Sequence, residues 1–390
     1  MTNQHGSFDL QKTLTESGNV KPFILKEKLQ NAYLTLYGAG ESSHWFVEIV
    51  MKIHGFYPDI VLDRRYTIPG VYEGVKAFSP DHHDPSPEEK KGIVVVCVGS
   101  LSAFKEIRSF LLTKGYENIV SLFEIYEVHN PFMLPESWRH DPLVFFNSEQ
   151  ENIKQAYDLL EDQTSQLIFE TVLQTHIWKS PQEIPRRPRN EQYFPTDIPL
   201  TKGYSRFVCC GAYDGDVIRS LVQEKGKVDE VVCFEADPKI FTRLTTYLQQ
   251  FQNQIATHIT ALPCAIYDDH KVRNFTEATG LGSRLSPNGP LHVQCLSLDE
   301  TLPNLKPTMV TMDIEGAELH ALKGAENIIK KHQPDLAICV YHSIEHLWSL
   351  ALYLHSLDLG YRFYLRNYTS FTIETVLYAV CDKTEIPKEE

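Results

Sequence analysis

Three carboxylates crowd into six residues at Asp313-Ile-Glu315-Gly-Ala-Glu318, directly after the apolar run Met309-Val-Thr-Met312. Acids at the carboxyl end of a buried strand, beside the start of a helix, lie where open α/β sheets bind their ligands. Helix-dipole compensation accounts for Glu318 in the first helical turn, whereas Asp313 and Glu315 lie on or just after the strand and are candidates for chemistry. A second group stands upstream. Phe207-Val-Cys-Cys210 runs into Gly211-Ala-Tyr-Asp-Gly-Asp216 and then into a helix, so small residues at the turn let backbone amides approach a ligand. The next strand ends in Phe234-Glu235-Ala-Asp-Pro238, and an acid at that edge suits the two hydroxyls of a ribose.

Turn and acid together describe an adenosine site. This half of the chain holds neither GxGxxG for a pyrophosphate nor GxxxxGK[ST] for a triphosphate, so a non-phosphorylated ligand fits better. S-adenosylmethionine matches: it needs a ribose acid, a close glycine turn, and polar groups near its sulfonium at the ends of strands one and four. Methyl transfer from a sulfonium is a one-step displacement that requires alignment of the acceptor oxygen and removal of its proton. His342, following Cys339-Val-Tyr341, is topologically placed to be that base, with Asp313 as the alternative group for orienting or deprotonating the acceptor. His342 and His346 with Glu345 also spell HxxEH, but no third ligand is evident and no CxxC pair occurs, which argues against zinc. Asp313 and Glu315 are of the type that holds magnesium, and the metal is left open.

The elements that must position these residues follow from periodicity. Strands are expected at Phe207–Cys210, Val231–Phe234, Ile259–Ile266, Met309–Ile314, Leu336–Tyr341, Tyr361–Leu365 and Val376–Val380. Helices are expected at Val217–Glu224, Ile240–Gln250, Glu318–Lys330 and Glu345–Leu357. That is a seven-stranded, mostly parallel sheet whose last two strands end it antiparallel. Upstream, Tyr33-Leu-Thr-Leu-Tyr-Gly-Ala-Gly40, a helix over 42–54, Ile60–Asp63, Ile93–Val98, a helix from Leu101 to Lys114 and Ile119–Leu122 form a smaller open α/β unit. A helical connector from Glu149 to Trp178 closes at the proline cluster Ser180–Arg189, whose three prolines cannot continue a helix. The predicted domains are 30–147, a connector and linker over 148–190, and 191–381.

Length and composition agree with two globular domains: 390 residues, 42% hydrophobic and 23% charged, without a low-complexity tract. Lys and Arg number 37 against 51 Asp and Glu, and a net charge of -14 repels nucleic acid and anionic membrane alike. Met1 to Leu10 lacks the order of a signal peptide and no window approaches a membrane span, so a cytoplasmic location is expected. Cys97, Cys209, Cys210, Cys233, Cys264 and Cys339 lie in apolar, strand-like runs and read as reduced core residues.

With these motifs in order, residues from about 190 to 381 resemble an FkbM-type S-adenosylmethionine-dependent methyltransferase. The likeness rests on the glycine turn Gly211–Asp216, Phe234-Glu235-Ala-Asp-Pro238, Leu298-Asp-Glu300, and Asp313–Glu318 followed by Leu322-Lys-Gly-Ala325. Glu374-Thr-Val-Leu-Tyr-Ala379 and Val340-Tyr-His-Ser-Ile-Glu-His-Leu-Trp348 resemble one branch of that family. The resemblance implies a class I methyltransferase sheet and methylation of a hydroxyl oxygen on a sugar, polyketide or related metabolite. It carries cofactor contacts to Gly211, Tyr213, Asp214, Glu235, the adenine-side Ala265 and Asp268, and Ser283; by their own placement at the strand ends, Asp313 is a further candidate cofactor contact and His342, Asp313 and Glu315 are the candidate catalytic set. Two positions depart from the family: Cys209 stands where an acid is common before the glycine turn, and His346 where an acid is common before Leu-Trp.

The N-terminal unit offers Gly38-Ala-Gly40 with Ser43 in place of a third glycine, and Asp63 beside Arg64 and Arg65. Through Val96-Cys-Val-Gly99 and Lys114-Gly-Tyr116 it more closely resembles the small Rossmann-like domain at the front of bacterial sugar acyltransferases, which implies either a nucleotide-linked acceptor or a structural role. Two alternatives to the methyltransferase remain at this stage: an NAD(P)-dependent sugar oxidoreductase working from the Gly-Ala-Gly turn, and a non-catalytic cofactor-binding interaction protein.

Overall fold

The computed structural model describes residues 10–16, 26–40, 43–44, 46–47, 55–125, 142–277, 283–369 and 372–381. They divide into two compact units. One is built from residues up to 150 with 170–184 and 372, the other from 151–169, 185–369 and 373–381. The predicted single connector is two helices, Gln150–Asp158 and Gln163–Trp178, and the division between units falls inside the second. Of the helix expected over 42–54, most lies outside the described residues.

In the first unit the wholly apolar runs become buried parallel strands, since a strand covered on both faces cannot alternate. The strands are β1 Leu34–Tyr37, β2 Ile60–Leu62, β3 Gly70–Tyr72, β4 Val75–Phe78, β5 Ile93–Val96 and β6 Asn118–Ser121. Their order is β3-β4-β2-β1-β5-β6, parallel except for the β3–β4 hairpin. That hairpin was not expected. Its two-residue loop has Glu73 and Gly74 both at positive φ, a tight turn more usually written Asn-Gly.

In the second unit the chain gives β7 Arg206–Cys210, β8 Val228–Phe234 and β9 Ala256–Leu262, then β10 Ala265–Ile266, β11 Val272–Thr276, β12 Arg284–Leu285 and β13 Leu291–Leu296. It continues with β14 Met309–Met312, β15 Asp335–Cys339, β16 Tyr361–Asn367 and β17 Thr375–Cys381. Seven of these make one sheet in the order β9-β8-β7-β14-β15-β17-β16, parallel through β15, with β17 antiparallel to both neighbours. Phe207, Val231, Leu244, Met309 and Tyr378 are among the side chains of its apolar core.

Two expectations are corrected here. The strand Ile259–Ile266 is broken after Leu262, and β10 belongs instead to a separate four-stranded sheet, β10-β13-β11-β12, which short runs with little apolar contrast did not announce. The helix Glu318–Lys330 is two, Glu318–Lys323 and Glu326–His332, because Gly324 presses on another strand end. A Cβ there would stand 2.0 Å from the Tyr267 carbonyl oxygen.

One buried cation ties the sheet edge to the connector. Arg366 in β16, 2% exposed, donates to Asp197 Oδ2 at 2.8 Å, Asp162 Oδ2 at 2.7 Å, Ser165 Oγ at 3.0 Å and the Leu365 carbonyl at 2.7 Å. Burial would raise the Asp162 pKa, but the Arg366 and Ser165 hydrogen bonds outweigh it and hold the carboxyl below its usual range. Arg366→Ala strands two carboxylates and is expected to cost about 3 kcal/mol, the low end for a broken buried pair because both acids keep some access to water. Urea denaturation checks it, and a loss below about 0.5 kcal/mol would contradict this account of the network.

Candidate active site

The glycine turn is shaped by two close approaches. Gly211, at φ +83°, and Ala212 both donate to the Phe234 carbonyl, at 3.0 and 2.9 Å, and a Cβ on Gly211 would meet the Asp313 carbonyl oxygen at 2.0 Å. Only glycine allows the ends of β7 and β14 to come this near. Gly215, φ +93°, begins the helix Asp216–Lys225, and a Cβ there would stand 2.7 Å from the Tyr247 ring.

Between them Tyr213, itself left-handed at φ +46°, donates its N–H to Glu235 Oε2 at 2.9 Å. Glu235 Oε1 accepts the Asp237 N–H at 2.8 Å. One carboxylate thus pins the turn after β7 to the turn after β8 and keeps lone pairs on both oxygens for further donors. Burial pushes the Glu235 carboxyl up to about 7 against the opposing Asp237 and Tyr213 hydrogen bonds. Asp237 caps the helix Pro238–Ile255 through the Lys239 and Ile240 amides and receives Ser283 Oγ at 2.9 Å. Asp214, by contrast, pairs with the Arg219 guanidinium.

On the expected adenine side, Ala265 pairs with Cys295 in the small sheet, and Asp268 Oδ2 lies 2.7 Å from His320 Nδ1. The Tyr267 ring stacks on His320 at 4.1 Å and carries the Arg273 guanidinium 3.8 Å from its centroid. His320 and Tyr267 were not singled out by sequence.

The acids after β14 gather around one imidazole. His342 Nδ1 is 2.8 Å from Glu318 Oε1, while Nε2 is 3.3 Å from Asp313 Oδ1 and 3.6 Å from Glu315 Oε2. His346 Nδ1 approaches the other oxygen of Glu318 at 3.2 Å, so the two histidines of the HxxEH pattern share a fully buried carboxylate. Among the described residues no group of His, Cys, Asp and Glu is arranged to hold a metal ion. Asp313 and Glu315 both face His342 Nε2.

Burial disfavours the charged ring of His342, but the charges of Glu318 and Glu315, the hydrogen bond to Glu318 and the charge of Asp313 push its pKa up to about 10. Glu318 is likewise opposed by burial and held well below the usual carboxylate range by the two histidines. At neutral pH the pair is imidazolium and carboxylate. A protonated ring with each nitrogen against a carboxylate cannot accept a proton, which departs from the expectation that His342 is the base.

Three residues outside the expected set complete the cluster. Tyr193 Oη donates to Asp313 Oδ2 at 3.0 Å, and Tyr341 Oη to Asp313 Oδ1 at 3.1 Å. Glu374, directly before β17, is clasped by the Gln192 side-chain amide and lies 3.4 Å from Arg189. Tyr341 adjoins His342 in sequence and was within reach of inspection; Tyr193 comes from 120 residues away and carried no signal. Cys209, the expected departure before the glycine turn, is buried inside β7 with a pKa pushed well up by burial.

The first unit contains a related device. Asp63 Oδ2 accepts the Ala39 N–H from the Gly38–Gly40 turn at 2.7 Å, and Oδ1 accepts the Arg65 N–H at 2.8 Å. The Arg65 side chain also lies on this carboxylate, at 3.1 Å. At the helix Leu101–Thr113, Glu183 accepts from Ser100 Oγ at 2.8 Å and the Ser102 N–H at 3.1 Å, so a carboxylate of the chain itself sits at that N-terminus.

A seven-stranded sheet in this order, with a glycine turn after its first strand and an acid after its second, is the class I methyltransferase fold. Residues 210–363 match the methyltransferase FkbM domain family. Among solved structures, the FkbM methyltransferase of Methylobacillus flagellatus KT is similar with a TM-score of 0.64 and 21% identity, over 95% of this chain and 92% of that one. Partial likenesses include Aeropyrum pernix fibrillarin with bound S-adenosylmethionine (12% identity, 47% of this chain and 70% of that one, TM-score 0.30). An rRNA methylase from Streptococcus thermophilus is another (12%, 45% and 85%, 0.29). No curated protein matches the chain. No helix among the described residues is long and apolar enough to cross a membrane.

The charge cluster makes stability depend on pH in a stated direction. The folded-state pKa of His342 lies above its unfolded value of 6.5, so its contribution is complete below about 6.5 and is lost as pH rises through about 10. Glu318, depressed on folding, contributes above its ordinary range and loses that contribution in acid. The melting temperature of the wild type is expected to fall between pH 7 and 10, and His342→Gln to flatten that limb. An equally steep alkaline fall in the variant contradicts the assignment.

Proposed function

We propose that the chain transfers the methyl group of S-adenosylmethionine to a hydroxyl oxygen of a sugar, a nucleotide-linked glycan or a related metabolite. The observation that carries this reading is the contact of Gly211 with the Asp313 backbone, which puts the Glu235 clasp and the acid–histidine cluster on one edge of one sheet. When bound, S-adenosylmethionine supplies a methyl group activated by a sulfonium cation. Gly211 gives the close backbone approach, Tyr213 and Glu235 hold the ribose side, Ala265, Asp268 and Ser283 line the adenine side, and Asp214 supports the turn through Arg219.

Asp313 serves the methyl end. Two tyrosine hydroxyls donate to it and His342 stands beside it, an arrangement that fixes the orientation of the carboxyl group at the methyl end. Glu315 and His342 complete the electrostatic frame that orients the acceptor. The Asp63 clasp in the first unit, which repeats that of Glu235, supports a nucleotide-linked acceptor there. All eight cysteines are free and buried, which fits a reducing, cytoplasmic setting.

Titration calorimetry of the full chain with S-adenosylmethionine and S-adenosylhomocysteine tests the reading. Both should bind, and Glu235→Ala should weaken each by about 10–100-fold, the worth of one or two charge-assisted hydrogen bonds. A wild-type protein that binds neither compound overturns the proposal, and a Glu235→Ala variant with full affinity relocates the ribose site.

A further inference from the structure

Two neighbouring acids follow β10, and only one of them is spent. Asp269 holds the Arg273 guanidinium, 3.1 Å from its Oδ2, and pairs with Lys271 at 3.0 Å. Asp268 Oδ2 lies 2.7 Å from His320 Nδ1, while no hydrogen-bond donor among the described residues reaches its Oδ1. A carboxylate oxygen accepts, so Nδ1 carries the hydrogen and the bond fixes the direction in which the open Oδ1 points.

The imidazole that does this is itself held by its face. Tyr267 stacks on His320 with ring centroids 4.1 Å apart and planes inclined by 13°, which leaves the opposite face of Tyr267 to Arg273, 3.8 Å from the centroid. Asp269 anchors Arg273, so a column runs from Asp269 through Arg273 and Tyr267 to His320 and ends on Asp268. Gly324 closes against the Tyr267 carbonyl and sets the distance between helix and strand end. His320 rides on the helix Glu318–Lys323, whose first residue anchors His342, so one short helix serves both the acid–histidine cluster and the adenine side.

We propose that His320 is a positioning residue for cofactor recognition: it turns Asp268 so that the open Oδ1 accepts the 6-amino group of adenine. The inference rests on the methyltransferase reading, which puts Asp268 on the adenine side. An amino group donates to that oxygen, whereas a 6-oxo group in its place meets it acceptor to acceptor, so the arrangement selects adenine over hypoxanthine. The Asp268 side chain is 32% exposed, and without a partner it rotates freely towards water. The bond to His320 removes that freedom before the cofactor arrives.

Titration calorimetry of the full chain with S-adenosylhomocysteine and its 6-oxo counterpart, S-inosylhomocysteine, tests this. The ratio of the two Kd values is the readout, because a merely structural role shifts both alike. The wild type should prefer the adenosyl compound by at least about tenfold, and Asp268→Ala should bring the two within about twofold. His320→Phe keeps a ring to stack on Tyr267 but has no donor, and should cut the preference by at least about threefold. His320→Asn returns a donor near the Nδ1 position and should recover part of it.

A His320→Phe variant with the wild-type ratio overturns the proposal, as does an Asp268→Ala variant that keeps it. Equal ratios in His320→Phe and His320→Asn overturn the role of the hydrogen bond, and a wild type that binds both compounds equally well removes the recognition altogether. A wild type that binds neither compound sinks the methyltransferase reading itself.

Discussion

Three carboxylates, Asp313, Glu315 and Glu318, face a single imidazole at the carboxyl edge of the methyltransferase sheet, and the rest of the site depends on that balance of charge. Burying an ionised carboxylate costs several kcal/mol unless a partner returns it, so the cluster is affordable only because His342 carries a proton. Glu318, fully buried, is the anchor: it takes His342 on one oxygen, approaches His346 with the other, and accepts the Ile314 N–H at 3.0 Å. The loop that follows β14 is therefore tied to its own helix start. Asp313 is left at the edge, ionisable and oriented by two tyrosines.

Backbone contacts set the distances within which this chemistry works. The Gly211 turn and the end of β14 touch with no room for a side chain, which brings the Glu235 carboxylate and the acid cluster together without any linking side chain. Gly324 repeats the device where a helix end meets the Tyr267 carbonyl, and so fixes the small sheet that carries Ala265 and Asp268. Left-handed Tyr213, Glu315 and Glu374 all lie in this region, so strain is concentrated where ligand contacts are proposed. Charge and close packing thus act on the same few turns, one choosing protonation states and the other choosing separations.

Much of this was legible in the chain because it is local. A continuous apolar strand, then a glycine turn, then a helix needs only neighbours to be recognised, and the same holds for Phe234-Glu235 and for the acids after Met312. Even the antiparallel ending of the sheet followed from two strands with no helix between them. The four-stranded insert escaped because two of its strands are two residues long and the others are half-exposed, without the contrast that periodicity requires.

The sequence by itself determined the sheet, the two strand-end acids and the class of cofactor, since each rests on residues adjacent along the chain. Only the tertiary structure decided which ionisable groups share a neighbourhood. Tyr193 reaches Asp313 across 120 residues, and Glu374 meets Gln192 across 182. His342 has an ordinary titration range in sequence and a proton held to about pH 10 once three carboxylates surround it. Electrostatic roles depend on distances in space and on exclusion of water, and neither is a property of chain order.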